Sequence, residues 1–182
     1  MKRVTITLLC FIYLMLFSQW AIAGEQTVGE LRNSGFEDAE EGKPKYWKLF
    51  GPEDSLLLDD GVFFEGSHSI RISLKQPSMN VVHLEQEIEV EAAKRYDFGG
   101  IIRVDLDDGF AKIMVVFLDE KKDEIDTFTL PRLSHNRNWV YQSMWIKSPN
   151  GSDVARIICV VKGSGKAWFD DVHFTAKLRG GY

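Results

Sequence analysis

Cysteine is nearly absent: the chain of 182 residues has two. Cys10 lies in an apolar N-terminal run and Cys159 near the other end. If that first run is removed as a secretory signal, no intramolecular disulfide can form, and stability must come from a packed core. Cys10 follows Leu9, where a lipoprotein cysteine needs a small residue. Cys159 sits in Ile157-Ile158-Cys159-Val160-Val161 and is expected to be a small buried hydrophobe.

Positive charge is also scarce. Lys and Arg number 22 against 27 Asp and Glu, for a net charge of -5. No Lys/Arg stripe offsets this, which argues against nucleic acid as a partner. The chain lacks G-x-S-x-G, H-E-x-x-H, a phosphate loop and a dinucleotide fingerprint. Its four histidines, His68, His83, His135 and His173, show no metal-binding spacing. Internal repeats, low-complexity tracts, an interdomain linker and helix-period segments of useful length after the first run are all missing.

What remains is a short leader and one β-rich domain. Lys2 and Arg3 precede the apolar run Val4 to Phe17, and Ala21-Ile22-Ala23 matches a signal-peptidase site. Residues 1–23 therefore read as a signal peptide and 24–182 as the mature domain, secreted or periplasmic, with no membrane span after cleavage. Short alternating segments separated by Gly, Pro, Asn or Asp clusters predict an all-β sandwich. Strands are expected at 29–33, 47–50, 55–59, 69–74, 81–90, 96–104, 111–118, 127–130, 139–147, 154–161 and 167–177. Turns are expected at Gly42-Lys43-Pro44, Asp59-Asp60-Gly61, Asp107-Asp108-Gly109, Ser148-Pro149-Asn150-Gly151 and Gly163-Ser164-Gly165.

The two ends of the domain each carry a short segment with a carboxylate. Asn33-Ser34-Gly35-Phe36-Glu37 and Trp168-Phe169-Asp170-Asp171-Val172 both read as strands with the acid facing inward. First and last strands of a sandwich often lie side by side, so Glu37 and Asp170 are expected to meet. Two buried carboxylates repel unless a proton or cation lies between them, which points to a structural calcium. A surface pair with Lys or Arg partners is the plainer alternative.

With Gly66-Ser67-His68-Ser69-Ile70 between them, these segments resemble the carbohydrate-binding modules of the cellulose- and xylan-binding jelly-roll type, within the galactose-binding-like superfamily. The resemblance covers nearly all of the chain after residue 30. It implies a jelly roll of two antiparallel sheets. It also implies a calcium held by Glu37, Asp170 and main-chain carbonyls, for which Gly66 or Ser67 is the candidate. Trp47, Trp139 and Trp168 match structural positions, which implies core.

Tyr141 and Trp145 lie four residues apart on one expected strand and point the same way, about 13 Å apart at ordinary strand rise. Exposed aromatic rings stack on the apolar face of a pyranose. Arg103, His83 and Glu85 are expected to add hydrogen bonds from neighbouring strands. The competing reading is a second small core. Glu85 and Glu87 share a face and read as a solvated pair, although a glycosidase also needs two carboxylates. The expected function is non-catalytic binding of a polysaccharide or cell-envelope glycan, with possible association with a separate enzyme. The alternatives are a structural or protein-interaction module of the envelope and, further off, a polysaccharide-degrading enzyme.

Overall fold

A computed structural model describes residues 30–176 of the chain, apart from the side chains of residues 76–80. The expected signal peptide, Cys10 and Lys177 lie outside the described residues. The elements in order are β1 (Ala39–Glu40), β2 (Lys43–Pro44), β3 (Lys48–Phe50), a short 3₁₀ turn (Glu53–Ser55), β4 (Leu56–Asp59), β5 (Ser69–Glu89), β6 (Arg95–Leu118), β7 (Glu124–Thr129), β8 (Asn136–Lys147) and β9 (Val154–Ala176). No helix among the described residues is long and apolar enough to cross a membrane.

Three strands are far longer than their sequence punctuation suggests. The segments expected at 69–74 and 81–90 form the single strand β5, those at 96–104 and 111–118 form β6, and those at 154–161 and 167–177 form β9. Each bends midway and passes from one layer of the sandwich to the other. In the first layer the order is β8, the N-terminal half of β6, the C-terminal half of β9, the N-terminal half of β5, then β4. In the second it is β3, the C-terminal half of β5, the N-terminal half of β9, the C-terminal half of β6, then β7. All these pairings are antiparallel, and the layers form a β-sandwich jelly roll.

The expected turns at Asp107-Asp108-Gly109 and Gly163-Ser164-Gly165 are the bends of β6 and β9, laid against each other with Gly109 opposite Gly163. Both glycines are left-handed, at φ 95° and 113°. A Cβ at Gly163 would collide with the carbonyl of Asp108, and one at Gly109 with that of Lys162. Side chains are excluded here because the two backbones touch.

The alternation of each strand sets its faces as expected. Tyr96, Phe98, Ile102 and Val104 of β6 point into the core with Ala111, Ile113, Val115 and Phe117. Leu84, Ile88, Ile157, Cys159, Phe169 and Phe174 join them. Cys159 is fully buried and is a free thiol.

Two further expectations fail. The segment around Asn33 is a turn, not a strand. Asn33 and Phe36 take positive φ values of 52° and 62°. The Asn33 amide donates to the carbonyls of Asp38 and Lys45, and its oxygen accepts the Asp38 N–H. A side chain thus supplies the bonds that a ladder would. Nor do all three tryptophans fill the core. Trp47 does; Trp168 is buried as well but lies on the outer face, between the inward-facing Ala167 and Phe169, and Trp139 is half-buried outside the core. Trp168 is covered by the Arg103 guanidinium, 5.3 Å from its ring, and its indole N–H donates to Asp59.

Candidate functional site

The first group of expected site residues lies where the chain ends meet. Val172 N–H donates to the Ser34 carbonyl, which docks β9 on the N-terminal turn. Glu37 and Asp170 flank Gly35: a Cβ on Gly35 would lie 4.0 Å from Asp170 Oδ1 and 4.0 Å from Glu37 Cγ. Asp170 is buried as expected; Glu37 is exposed, because its segment is a turn. Both acids hold the loop 64–68. Glu37 accepts the N–H groups of Ser67 at 3.0 Å and His68 at 3.1 Å, and the Ser67 hydroxyl at 2.5 Å. Asp170 accepts those of Phe64 at 2.8 Å and Glu65 at 3.2 Å.

Their electrostatics diverge. Burial alone would raise both acids. For Glu37 the Ser67 and His68 hydrogen bonds outweigh it and hold the carboxyl near about 2. For Asp170 burial wins and the value stays raised. Gly66 approaches so closely that a Cβ there would strike the Glu37 carboxylate, and its φ of 73° suits glycine.

The second group is split by the fold. Tyr141, Trp145 and Arg103 lie on the outer face of the first layer, and His83 and Glu85 on the outer face of the second. The expected single set of five is therefore two sites. Strand parity tells which residues share a face of a strand, but not which layer that stretch of strand joins.

In the second layer, His83 and Glu85 line a cleft of about 590 Å³ with Tyr46, Lys48, Phe50 and Arg156. The register builds it: Phe50 lies opposite His83, Lys48 opposite Glu85, and Arg156 opposite Glu87. The Phe50 and His83 rings stack at 4.7 Å and 8°. Lys48 Nζ lies 4.6 Å from the Phe50 ring. Beside the cleft the same face carries a separate apolar cluster that includes Val116, Ile158 and Val160.

The acids of the cleft are paired. Glu85 Oε2 is 3.3 Å from His83 Nε2, and Glu85 Oε1 is 3.6 Å from Arg156. Glu87 binds Arg156 at 2.7 Å and Lys122 at 3.0 Å. Burial raises Glu87, but the Arg156 and Lys122 contacts outweigh it and lower its pKa. Phe50 and Arg156 escaped the sequence reading. Phe50 was legible as the outward ring of a short strand; Arg156 was hidden by the apolar run that follows it.

On the first layer, Tyr141 is 59% exposed and Trp145 57%. They face outward beside Ser143, as the alternation of β8 predicts. Trp139 lies on the same strand, and its ring meets the edge of Phe64 at 6.0 Å. Arg103 is turned toward Trp168 instead of toward Tyr141.

No protein-family model and no curated protein matches the sequence. Solved structures do match. One is TmCBM61 in complex with β-1,4-galactotriose, at 18% identity and a TM-score of 0.60, covering 82% of this chain and 99% of that one. A second is the CBM22-1 xylan-binding domain of Paenibacillus barcinonensis Xyn10C, at 12% identity and a TM-score of 0.56, covering 75% and 89%. The fold is that of carbohydrate-binding modules. The same fold forms part of the enzymatically active domain of bacteriophage CBA120 tailspike protein 4, at 15% identity and a TM-score of 0.63 over 82% of this chain. This chain spans only 22% of that domain but nearly all of the two modules.

Proposed function

We propose that the chain is a non-catalytic glycan-binding module whose ligand lies in the cleft of the second layer. The observation that carries this reading is the cleft itself: a concavity of about 590 Å³ on the sheet, walled by the Tyr46 ring and the Phe50–His83 stack. Aromatic faces take up the apolar side of a sugar ring, and His83, Glu85 and Arg156 offer fixed donors and acceptors for its hydroxyls. Galactotriose and xylan, the ligands of the two similar modules, support a neutral polysaccharide as the ligand class.

A catalytic reading is weaker. A glycosidase needs one carboxyl held protonated at working pH. Glu87 is shifted the other way by Arg156 and Lys122.

The reading extends to the chain ends and to the cell. Among the described residues no Lys or Arg pairs with Glu37 or Asp170, and no cluster of three or more His, Cys, Asp or Glu is placed to hold a metal. A calcium would match the two acids in charge and ligand hardness, with Glu37, Asp170 and the Gly66 or Ser67 carbonyl as donors, although His68 already stands 3.3 Å from Glu37. The oxygens of both acids already accept hydrogen bonds, Glu37 from Ser67 and His68 and Asp170 from Phe64, Glu65 and Asp171, so each must exchange such a contact for the ion. Calcium would supply charge compensation and fastening. The leader at 1–23 directs the module outside the cytoplasm, where a polysaccharide or cell-envelope glycan is its partner and a separate enzyme can act beside it.

The test is titration of the purified protein with a panel of soluble polysaccharides, alongside Phe50→Ala and Arg156→Ala. Each variant is expected to weaken binding at least about tenfold, a loss of about 1.4 kcal/mol, while keeping the native melting profile. Native-like binding by both variants would remove the ligand from the cleft. A folded protein that binds nothing in the panel would favour the alternative, an interaction module that keeps the fold without a sugar groove.

A further inference from the structure

We propose a second glycan-binding site, independent of the cleft, on the outer face of the first layer. It is a shallow platform in which Tyr141 and Trp145 stack on sugar rings while Asp97 and His173 bind hydroxyls between them.

Three rows cross this face from β8 through β6 to β9. Trp145 lies opposite Asp97, which lies opposite Thr175. Ser143 lies opposite Gly99, which lies opposite His173. Tyr141 lies opposite Ile101. The two exposed rings therefore stand on either side of a middle row that holds Ser143, Gly99 and His173. Gly99 is required there: a Cβ would lie 2.8 Å from His173 Cε1 and 2.9 Å from Ser143 Cα. With no side chain at 99, the His173 imidazole settles over the strand and stacks parallel to Tyr141, at 6.0 Å and 13°. The His173 imidazole thus lies over Gly99 between the two exposed rings, whose residues stand about 13 Å apart along β8.

The polar chemistry of the platform is incomplete. His173 Nε2 lies 3.8 Å from Asp97 Oδ2. The other carboxylate oxygen, Asp97 Oδ1, is buried and has no hydrogen-bond partner. A buried acceptor without a donor costs about 1–3 kcal/mol, and it lies in the same row as Trp145. A neutral sugar can donate a hydroxyl to the exposed part of the Asp97 carboxylate, whose side chain is 19% exposed, and lay an apolar ring face on Trp145 or Tyr141. An apolar protein surface would cover the rings and leave Asp97 unsatisfied. A polyanion would be repelled by Asp97.

The experiment titrates soluble β-1,4-galactan and xylan into the native protein and into Y141A, W145A, D97A, D97N and the cleft variant F50A. Heat release and tryptophan fluorescence are the readouts, and melting curves check the fold. Expected is a loss of about tenfold or more in Y141A and W145A, and a smaller one in D97A. D97N, which keeps one acceptor oxygen, should recover part of the D97A loss. The F50A protein should retain the binding component that W145A removes. Binding unchanged in Y141A and W145A overturns the proposal, even where F50A abolishes it and the cleft reading stands. A native protein that binds neither polysaccharide overturns it as well. So does a dimer that W145A dissociates in sedimentation, which would assign the face to contact between two copies of the chain.

Discussion

Glu37 and Asp170 grip the same loop from two ends of the chain. Asp170 takes the N–H groups of Phe64 and Glu65, and Glu37 those of Ser67 and His68. The N-terminal turn, the loop 64–68 and the last strand are thereby fastened at one point. A cation bound there would act on all three segments together.

If a calcium binds at this junction, it binds the folded chain only, and stability must rise with its concentration. At one hundred times its dissociation constant the gain is about 2.7 kcal/mol. Calcium is expected to raise the melting temperature of the native protein, chelation to reverse the shift, and Asp170→Ala to abolish it. A melting temperature indifferent to calcium would mean that the hydrogen bonds fasten the loop by themselves.

Asp59 should make the fold sensitive to acid. It is buried on the outer face of the first layer, where it accepts the Trp168 indole N–H at 2.9 Å and pairs with Arg71 at 3.0 Å. Burial raises its pKa, but the bonds from Trp168 and Gly61 and the charge of Arg71 outweigh it, and the folded value lies below the ordinary 3.8. A carboxyl depressed by folding stabilises the protein above its unfolded pKa, and that contribution is lost as pH falls through the folded value. Unfolding followed from pH 7 to pH 2 should show stability falling below about pH 4. Asp59→Ala is expected to flatten part of that fall and to cost about 2–3 kcal/mol at neutral pH, because Arg71 and Trp168 lose their partner. An unchanged acid limb would place the sensitivity elsewhere.

The faces of single strands were legible in the sequence, but the pairing of distant strands was not. Alternation placed Tyr96, Phe98, Ile102 and Val104 inward and Tyr141, Ser143 and Trp145 outward, because period two is a local property. The outward position of Trp168 was equally available from Ala167 and Phe169 on either side of it; the family likeness pulled the reading toward the core. Asp107-Asp108-Gly109 reads the same whether it ends a strand or bends one. Only its contact with Gly163, more than fifty residues away, decides. That bend carries β6 from one layer to the other, so it also decides that His83 and Glu85 do not share a face with Tyr141. The Asn33 turn was hidden for a different reason: it depends on where Asp38 and Lys45 come to lie.

The bend itself is open to test. Gly163 has a φ of 113°, and a Cβ there would run into the Asp108 carbonyl. Gly163→Ala combines a strained backbone with a backbone clash, and neither neighbour can yield without opening the β6–β9 ladder. A loss of about 3 kcal/mol or more is expected in denaturant unfolding. Gly151 is the control. It also has positive φ, at 83°, but nothing lies within 4 Å of its Cβ position, so Gly151→Ala should cost about 1 kcal/mol from backbone strain alone. Equal losses at the two positions would show that conformation, not the approach of the two bends, sets the need for glycine.

Cys159 offers a probe of the whole core. It lies in the N-terminal half of β9, fully buried, opposite Leu84 of β5 and Ile113 of β6. Burial pushes its thiol pKa well up, so the reactive thiolate is scarce as well as inaccessible. Modification must then wait for β9 to part from both neighbours, which is nearly the same event as global unfolding. Labelling by a thiol reagent at neutral pH should be very slow in the native protein. Its rate should rise with denaturant along the slope of the unfolding transition. Gly163→Ala, which weakens the same strand, should speed it in proportion to the stability lost. Rapid labelling without denaturant would mean that β9 opens locally, and the layers would then be held together elsewhere than through this strand.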